Sequence, residues 1–441
     1  MKKAALHNLG CKVNSYETEA MEELLIDDGF EIVNFDEQAD VYIINTCSVT
    51  NIADRKSRQM IHRCKKLNPN SCIVATGCYI QNFGKDIPKE LGADIILGNN
   101  KKTELISAIH NFFANLDKDD FEPIVDYIDI NKGKVAYENM HIKKDLEHTR
   151  AFVKVQDGCN QFCTYCIIPF ARGRIRSREI ADVIPEIKAL ADNGYKEVVI
   201  TGIHLSSYGS GTNESLIDLL EAVQKVEGIE RIRLGSLEPQ IVTEEFARRT
   251  AALSKLCPHF HLSLQSGCDT ILQRMNRKYT SLEYSNGCDI LRKYFNNPAI
   301  TTDVIVGFPG ESDNEHKASY DFVKKIGFYE VHVFAYSKRK GTKACDMPNQ
   351  ISGDVKKRRS SEMISLVEEM SEQYRRSFLG KELDILFEEK ITIDNEDYYI
   401  GFSKEYIKCA LKADNHDYKN TIIKGKATMY DSKHQYLMIE I

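Results

Sequence analysis

The chain has 441 residues, a formal net charge of −6 and thirteen cysteines. That length supports two to four domains, and the charge gives no global field that would draw in nucleic acid. Thirteen cysteines over so long a chain are not a secreted disulfide framework. The opening Met1-Lys2-Lys3-Ala4-Ala5-Leu6-His7 lacks the apolar core of a signal peptide, and no apolar run is long enough to span a bilayer. The expectation is a soluble cytoplasmic protein with reduced thiols and no membrane partner.

Residues 3 to about 113 alternate between apolar runs and helical patterns. Strands are expected at Ala4–Asn8, Glu31–Asn34, Val41–Asn45, Ile73–Thr76 and Ile95–Leu97, with helices between them at Ser15–Asp28, Asn51–Leu67 and Thr103–Phe113. This alternation predicts a doubly wound parallel sheet. Cys11, Cys47 and Cys78 each come just after a strand, and the carboxyl ends of such strands share one ligand-binding edge. The three thiols are therefore expected to converge. Cys64 falls in a helix and Cys72 opens a strand at the opposite edge, so neither is given a role. The plain alternative is that all five are ordinary buried cysteines.

Residues 114–150 break the alternation. Asp117, Asp119, Asp120 and Glu122 precede Pro123, which reads as a linker with an extended segment over Pro123–Ile130. From Ala151 the pattern restarts, with strands expected at Phe152–Val155, Val198–Thr201, Arg231–Leu234, His261–Leu264, Thr302–Val306 and Val331–Ala335. Helices are expected at Glu179–Asp192, Leu216–Lys225, Leu282–Tyr294 and Glu315–Lys325. Six β-α units predict a partial (β/α)6 barrel with its site at the carboxyl ends of the strands.

The first of these strands runs into Gly158-Cys159-Asn160-Gln161-Phe162-Cys163-Thr164-Tyr165-Cys166. Cys159, Cys163 and Cys166 have C-x3-C-x2-C spacing, which lets one short loop point three thiolates at one inorganic centre. Three is one short of the four that close a 4Fe–4S cluster, which leaves an open iron position. A zinc ion borrowing a fourth ligand is the alternative, although no second cysteine pair accompanies the loop. Thr201-Gly202, the Gly235–Pro239 turn with Ser236 and Glu238, Gln265-Ser266-Gly267 and Gly307-Phe308-Pro309-Gly310-Glu311 end later strands. Singly, each glycine reads as a strand end. Arg172, Arg174, Arg176 and Arg178 alternate directly after the loop, as a solvated approach or as a grip on a phosphate or carboxylate. A helix is expected over Val355–Phe378. Strand-like runs at Glu382–Phe387, Tyr398–Lys404, Ile407–Leu411, Ile422–Met429 and Tyr436–Ile439 then predict a small all-β barrel. In it Tyr398, Tyr399 and Tyr406 serve the core or stack on bases.

The Cys159–Cys166 loop resembles the radical S-adenosylmethionine signature. The resemblance implies that the open iron chelates the methionine amino and carboxylate groups, and that reduction cleaves the sulfonium to a 5′-deoxyadenosyl radical. It also places Tyr165, Thr201, Gly202, Ser236, Glu238, Gln265 and Gly307 around that cofactor. Leu9-Gly10-Cys11-Lys12-Val13-Asn14, Asn45-Thr46-Cys47 and Thr76-Gly77-Cys78 resemble the N-terminal domain of methylthiotransferases. There three such cysteines carry a second, auxiliary 4Fe–4S cluster. The tail resembles the RNA-binding TRAM domain. The implied organisation is 1–114 methylthiotransferase domain, 115–144 linker, 145–374 radical domain and 375–441 TRAM domain.

The family chemistry implied is methylthiolation of adenine C2 with two equivalents of S-adenosylmethionine, one methylating a sulfur on the auxiliary cluster. No general acid or base is evident. The Cys-Lys-Val motif looks like enzymes acting on N6-threonylcarbamoyladenosine 3′ of a tRNA anticodon. Relatives acting on isopentenyladenosine more often carry Gln-Met there, and those acting on a ribosomal-protein aspartate carry Pro-Lys. Lys12, Arg172, Arg174, Arg176 and Arg178 are the expected substrate contacts. An electron donor such as flavodoxin or ferredoxin is expected, and the oligomeric state stays open. Two rival classes are a cobalamin-dependent radical enzyme, whose usual Asp-x-His-x-x-Gly signature is absent, and a non-enzymatic metal-stabilised RNA-binding protein.

Overall fold

Six parallel strands form the first sheet: β1 (Lys3–Asn8), β2 (Glu31–Ile32), β3 (Val41–Thr46), β4 (Cys72–Gly77), β5 (Ile95–Leu97) and β6 (Ile124–Asp126). The computed structural model describes residues 1–83, 91–116, 122–133, 135–143 and 149–441. Every residue of β3, β4 and β5 is buried, as expected of Val- and Ile-rich strands covered by helices on both faces. The order is β2-β1-β3-β4-β5-β6. The chain therefore reverses its winding between β1 and β3, and the crevice outside the carboxyl ends of those two strands is where such sheets bind ligands. Cys11 opens the helix after β1, Cys47 follows β3 and Cys78 follows β4. Gly77 makes the last turn possible. Its φ is +95°, and a Cβ there would lie 2.5 Å from the Thr46 carbonyl oxygen.

The expected extended segment at Pro123–Ile130 contains β6, which pairs with β5. The first sheet thus runs past the boundary expected at residue 114. The acidic positions Asp117, Asp119 and Asp120 lie outside the described residues, as does the boundary at 144/145.

The second unit is a half-open barrel of parallel strands: β7 (Arg150–Asp157), β9 (Glu197–Gly202), β10 (Arg231–Leu234), β11 (His259–His261), β12 (Ala299–Val306) and β13 (Glu330–Ala335). A two-residue strand, β8 (Arg176–Ser177), lies antiparallel against β7. The strands form two sheets joined by single bridges, Ile232 to Leu256 and Leu237 to Leu262. Three of the helices between them start on capping boxes, at Ser215, Thr280 and Ser312. Three helices were not expected, Ile168–Ala171, Glu244–Ala251 and Asp269–Arg274; short helices of this kind carry no clear periodic signal. Gly158 lets the chain leave β7 into the cysteine loop. It has a φ of +71°, and a Cβ would sit 1.9 Å from the Arg174 carbonyl oxygen.

The helix Gly353–Arg376 crosses the boundary expected at 374/375 and leads into β14 (Glu382–Ile393), β15 (Glu396–Ser403), β16 (Lys408–Lys412), β17 (Ile422–Asp431) and β18 (Tyr436–Glu440). These close into a barrel in the order β14-β15-β16-β18-β17. Among the described residues no helix is long and apolar enough to cross a membrane.

Candidate active site

A cavity of about 820 Å³ opens where the first sheet faces the half-barrel. Cys11 and Lys12 enter it from one side and Cys159, Cys163 and Cys166 from the other, so the first cysteine group reaches, through Cys11, the chamber that the second lines. The three residues of each group also cluster. A Cβ on Gly10 would lie 3.0 Å from Cys47 Sγ, and the charges of Cys11, Cys47 and Cys78 act on one another. Asn99 Nδ2 stands 3.8 Å from Cys78 Sγ. Burial pushes the thiols of Cys47 and Cys159 up to about 11 and that of Cys166 up to about 12, and it raises Cys11 as well. Cys11 is open to the chamber yet walled in by protein, which accounts for that rise. Protonated thiols of this kind must lose their protons to a metal, so loading is coupled to proton release. Two sets of three converging thiols fit two iron–sulfur centres, each with one position left for a non-protein ligand.

The rim around the second group is ordered by charge. Arg277 Nη1 donates to Cys163 Sγ at 3.1 Å, and its Nη2 pairs with Glu238 Oε1 at 2.8 Å. Glu238 Oε2 also meets Gln161 Nε2 and His204 Nε2, each at 3.1 Å. Burial raises the Glu238 carboxyl, but the His204 hydrogen bond and the Arg277 charge outweigh it and hold the group below the usual range. Gly202 packs against Gln156, whose Oε1 accepts from the His204 amide at 2.7 Å. Tyr165, Thr201, Gly202, Ser236 and Glu238 all line the chamber.

The sequence matches the uncharacterized protein family UPF0004 over residues 3–98 and the radical SAM superfamily over residues 153–323. It is 39% identical to the threonylcarbamoyladenosine tRNA methylthiotransferase MtaB of Bacillus subtilis, over 97% of this chain and 94% of that one. With the protein of the same name from Aquifex aeolicus it shares 38% identity, over 90% and 95%. The chain belongs to the radical S-adenosylmethionine methylthiotransferases.

The tRNA-2-methylthio-N(6)-dimethylallyladenosine synthase of Clostridium novyi is 36% identical over 88% of this chain and 86% of its own. Among solved structures, the radical S-adenosylmethionine methyltransferase TsrM from Kitasatospora setae, solved with cobalamin and a [4Fe-4S] cluster, shares the fold. Its TM-score is 0.58 at 15% identity, covering 78% of this chain and 77% of that one.

For this methylthiotransferase three of the expected arginine contacts need correction. Arg172, Arg176 and Arg178 are buried. Arg172 pairs with Glu17 at 2.8 Å and Asp157 at 3.2 Å, Arg176 with Asp157 at 3.4 Å, and Arg178 with Glu186. Their charge is spent inside the protein, which leaves no face for a phosphate backbone. Arg174 alone is exposed, and it lies over the Phe162 ring at 4.6 Å, away from the chamber lining. Gln265 and Gly307 also stay off that lining. Gln265 bridges to Val304, and the stem of Lys356 covers Gly307, where a Cβ would meet its Cγ at 2.4 Å.

Lys12 does line the chamber, and among the described residues it makes no ion pair. Burial, with the charges of Arg150 and Arg233, holds its ammonium down to about 8. Sequence reasoning missed Arg277, His204 and the polar wall at His259, His261, Thr301, Asp303, Glu330 and His332. For the wall a signal existed: polar side chains at every second position of β11, β12 and β13 mark an inward face that is not core.

Proposed function

We propose that this chain is a tRNA methylthiotransferase that installs a methylthio group at C2 of N6-threonylcarbamoyladenosine beside the anticodon. The observation that carries the reading is one chamber reached by both cysteine groups, with an unpaired ammonium, Lys12, next to Cys11. The Bacillus subtilis and Aquifex aeolicus relatives, both threonylcarbamoyladenosine tRNA methylthiotransferases, support the substrate. In this reading Cys11, Cys47 and Cys78 hold the auxiliary cluster, and Cys159, Cys163 and Cys166 hold the radical cluster. The two clusters and S-adenosylmethionine, when bound, supply hydrogen abstraction from an unactivated carbon and a methylated sulfur to replace it.

The chain's own residues do the rest. Thr201, Gly202 and Ser236 line the methionine and ribose side, and Glu238, fixed by His204, Arg277 and Gln161, is an immobile acceptor there. Tyr165, set edge-on to Phe308 at 6.4 Å, closes the apolar side and excludes water. Lys12 takes the substrate carboxylate. No proton-transfer pair is required, because the reacting carbon loses a hydrogen atom and not a proton. The closed C-terminal barrel serves as the TRAM domain. A small carrier such as flavodoxin or ferredoxin delivers the electron, in the cytoplasm where tRNA is found.

The test uses anaerobically reconstituted full-length chain, S-adenosylmethionine, a reductant, and tRNA bearing either threonylcarbamoyladenosine or dimethylallyladenosine, with nucleosides read by mass spectrometry. The expected product is the methylthio form of the first. The variant with Cys11, Cys47 and Cys78 all changed to Ala should still make 5′-deoxyadenosine but no methylthio product. Lys12→Gln should lose about ten- to hundredfold in selectivity for the threonylcarbamoyl substrate, the worth of one charge-assisted contact. Product only on the dimethylallyl substrate would overturn the proposal.

A further inference from the structure

The chamber wall opposite the cysteine loop carries a row of polar groups that neither cluster uses. In the parallel register of β11, β12 and β13, His261 stands beside Thr301 and Asp303 beside His332. One nitrogen or oxygen atom from each of His261, Asp303 and His332 lies within 4.8 Å of the other two. His261 is held from both sides, its Nδ1 3.1 Å from Thr301 Oγ1 and its Nε2 3.4 Å from Asp303 Oδ2. The rings of His261 and His332 lie roughly parallel, with centroids 6.0 Å apart. All three side chains line the chamber that Lys12 enters, and the Lys12 charge is felt at His259, two residues before His261.

We propose that His261, Asp303 and His332 form the subsite that reads the hydroxyl and carbamoyl N–H groups of the threonylcarbamoyl substituent while Lys12 takes its carboxylate. This rests on the function proposed above. The chemistry of the row selects the ligand. A carboxylate can only accept, so Asp303 calls for a hydroxyl or N–H donor. An imidazole nitrogen either donates or accepts, so His332 suits a ligand group of either kind, while His261, engaged by Thr301 and Asp303, positions the Asp303 carboxylate. The ammonium calls for an anion. A short chain bearing a carboxylate, a hydroxyl and a urea-type N–H meets all of these at once.

A bare divalent cation is the other occupant such a trio suggests, since two histidines and a carboxylate are common metal ligands. The surroundings disfavour it. Lys12 brings an unpaired ammonium to this chamber, while Arg150 and Arg233 behind it are paired with Glu388 and Glu197. A positive charge repels a cation and attracts an anionic ligand. The row also acts against an apolar substituent. A dimethylallyl tail would cover Asp303 and the His332 imidazole without offering either a partner. Sites built to hydrogen-bond a substrate reject an analogue lacking the group by factors of up to about 10⁴–10⁵. The polar wall is then a device for exclusion as much as for binding.

The experiment compares full-length reconstituted wild type with His332→Phe and Asp303→Asn on tRNAs bearing threonylcarbamoyladenosine or dimethylallyladenosine. Asp303→Asn is isosteric, and His332 is exposed to the chamber, so both variants should fold. Iron content and the unfolding temperature check this independently. Both should match wild type, while the ratio of kcat/KM for the two substrates falls at least tenfold, mainly through KM on the threonylcarbamoyl tRNA. A competent wild type whose ratio is unmoved in both variants overturns the subsite alone. A wild type without product on threonylcarbamoyladenosine overturns the function and the subsite together. Stoichiometric manganese, zinc or iron beyond the cluster content, present in wild type and lost from both variants, would reassign the trio to a metal and overturn the proposal.

Discussion

Cys163 is the one thiol of its loop that receives a charged donor, Arg277 Nη1 at 3.1 Å. The same guanidinium is pinned by Glu238 and by Tyr279 Oη, which accepts from Nε at 2.9 Å. A hydrogen bond from a cation to a sulfur ligand stabilises the more reduced, more negative form of an iron–sulfur centre. Charge-assisted hydrogen bonds contribute about 1.5–3 kcal/mol, which for a one-electron couple is on the order of 60–130 mV. Arg277→Met should therefore lower the potential of the radical cluster by up to about that amount, with iron content retained. A redox titration followed by electron paramagnetic resonance measures it. An unchanged potential in a fully loaded variant would mean that Arg277 serves only to fix Glu238. Nothing local in Met275-Asn276-Arg277-Lys278-Tyr279 announces this role. Arg277 lies more than a hundred residues from the cysteine it touches, and a single arginine after a short helix carries no pattern.

Between elements, the two cysteine loops are tied by one buried network. Arg172 follows the second loop, and its Nη2 donates to Asn14 Oδ1 at 2.5 Å and to Glu17 Oε2 at 3.0 Å, on the helix that starts beside Cys11. Lys154 joins Glu17 at 2.6 Å to Asp157 at 2.7 Å, and Lys102 adds a contact to Glu17 at 3.3 Å. Burial raises the Glu17 carboxyl, yet Arg172, Lys102 and Lys154 together hold it well below the usual range. Removing one partner of such a network costs about 3–5 kcal/mol, because the remaining charges stay buried and uncompensated. Arg172→Met should lower stability by about that much in anaerobic urea unfolding, and Arg172→Lys should recover only part, since one ammonium cannot make both of the bonds to Glu17. A loss below about 1 kcal/mol would show that water enters the network.

The element scale also shows what could be read from the chain. Most strand positions were legible because long apolar runs leave little choice, although the strand expected at His261–Leu264 lies at His259–His261, and the cysteines could be grouped because parallel strands share one carboxyl edge. The arginine run was not legible. Alternating charges look alike whether they face solvent, RNA or an acid such as Glu17 that the fold brings from 155 residues away. β6 was read as a linker segment, since three residues without alternation carry no strand signal until β5 is there to pair with them.

At the scale of the whole molecule, all three units build the chamber. The N-terminal sheet brings Cys11 and Lys12, the half-barrel brings the second cysteine group, and the C-terminal barrel contributes Tyr406 to the wall. Tyr406 stacks between His259 and Phe402, with ring centroids 4.9 and 4.7 Å away, and Arg233 lies 4.6 Å from its centroid. Its role is therefore neither core packing nor an exposed stacking platform. Below it, Arg231 donates to the carbonyls of Phe402 at 2.9 Å and Asp384 at 2.7 Å, and Arg233 to those of Lys404 at 3.1 Å and Ser403 at 3.3 Å. Within the half-barrel these two buried guanidiniums of β10 share a single carboxylate, Glu197 of β9. If the C-terminal barrel were only an RNA-binding appendage, a chain ending at Ser377 would keep both clusters and cleave S-adenosylmethionine normally, losing only its affinity for tRNA. The contacts predict otherwise. Truncation opens the chamber to water at Tyr406 and strips four acceptors from Arg231 and Arg233, and unpaired buried charges cost several kcal/mol each. The expected result is a chain with a lower unfolding temperature and impaired tRNA-free formation of 5′-deoxyadenosine. Tyr406→Ala in the full-length chain should impair that reaction with less effect on stability, because it opens the wall while leaving the arginine contacts in place.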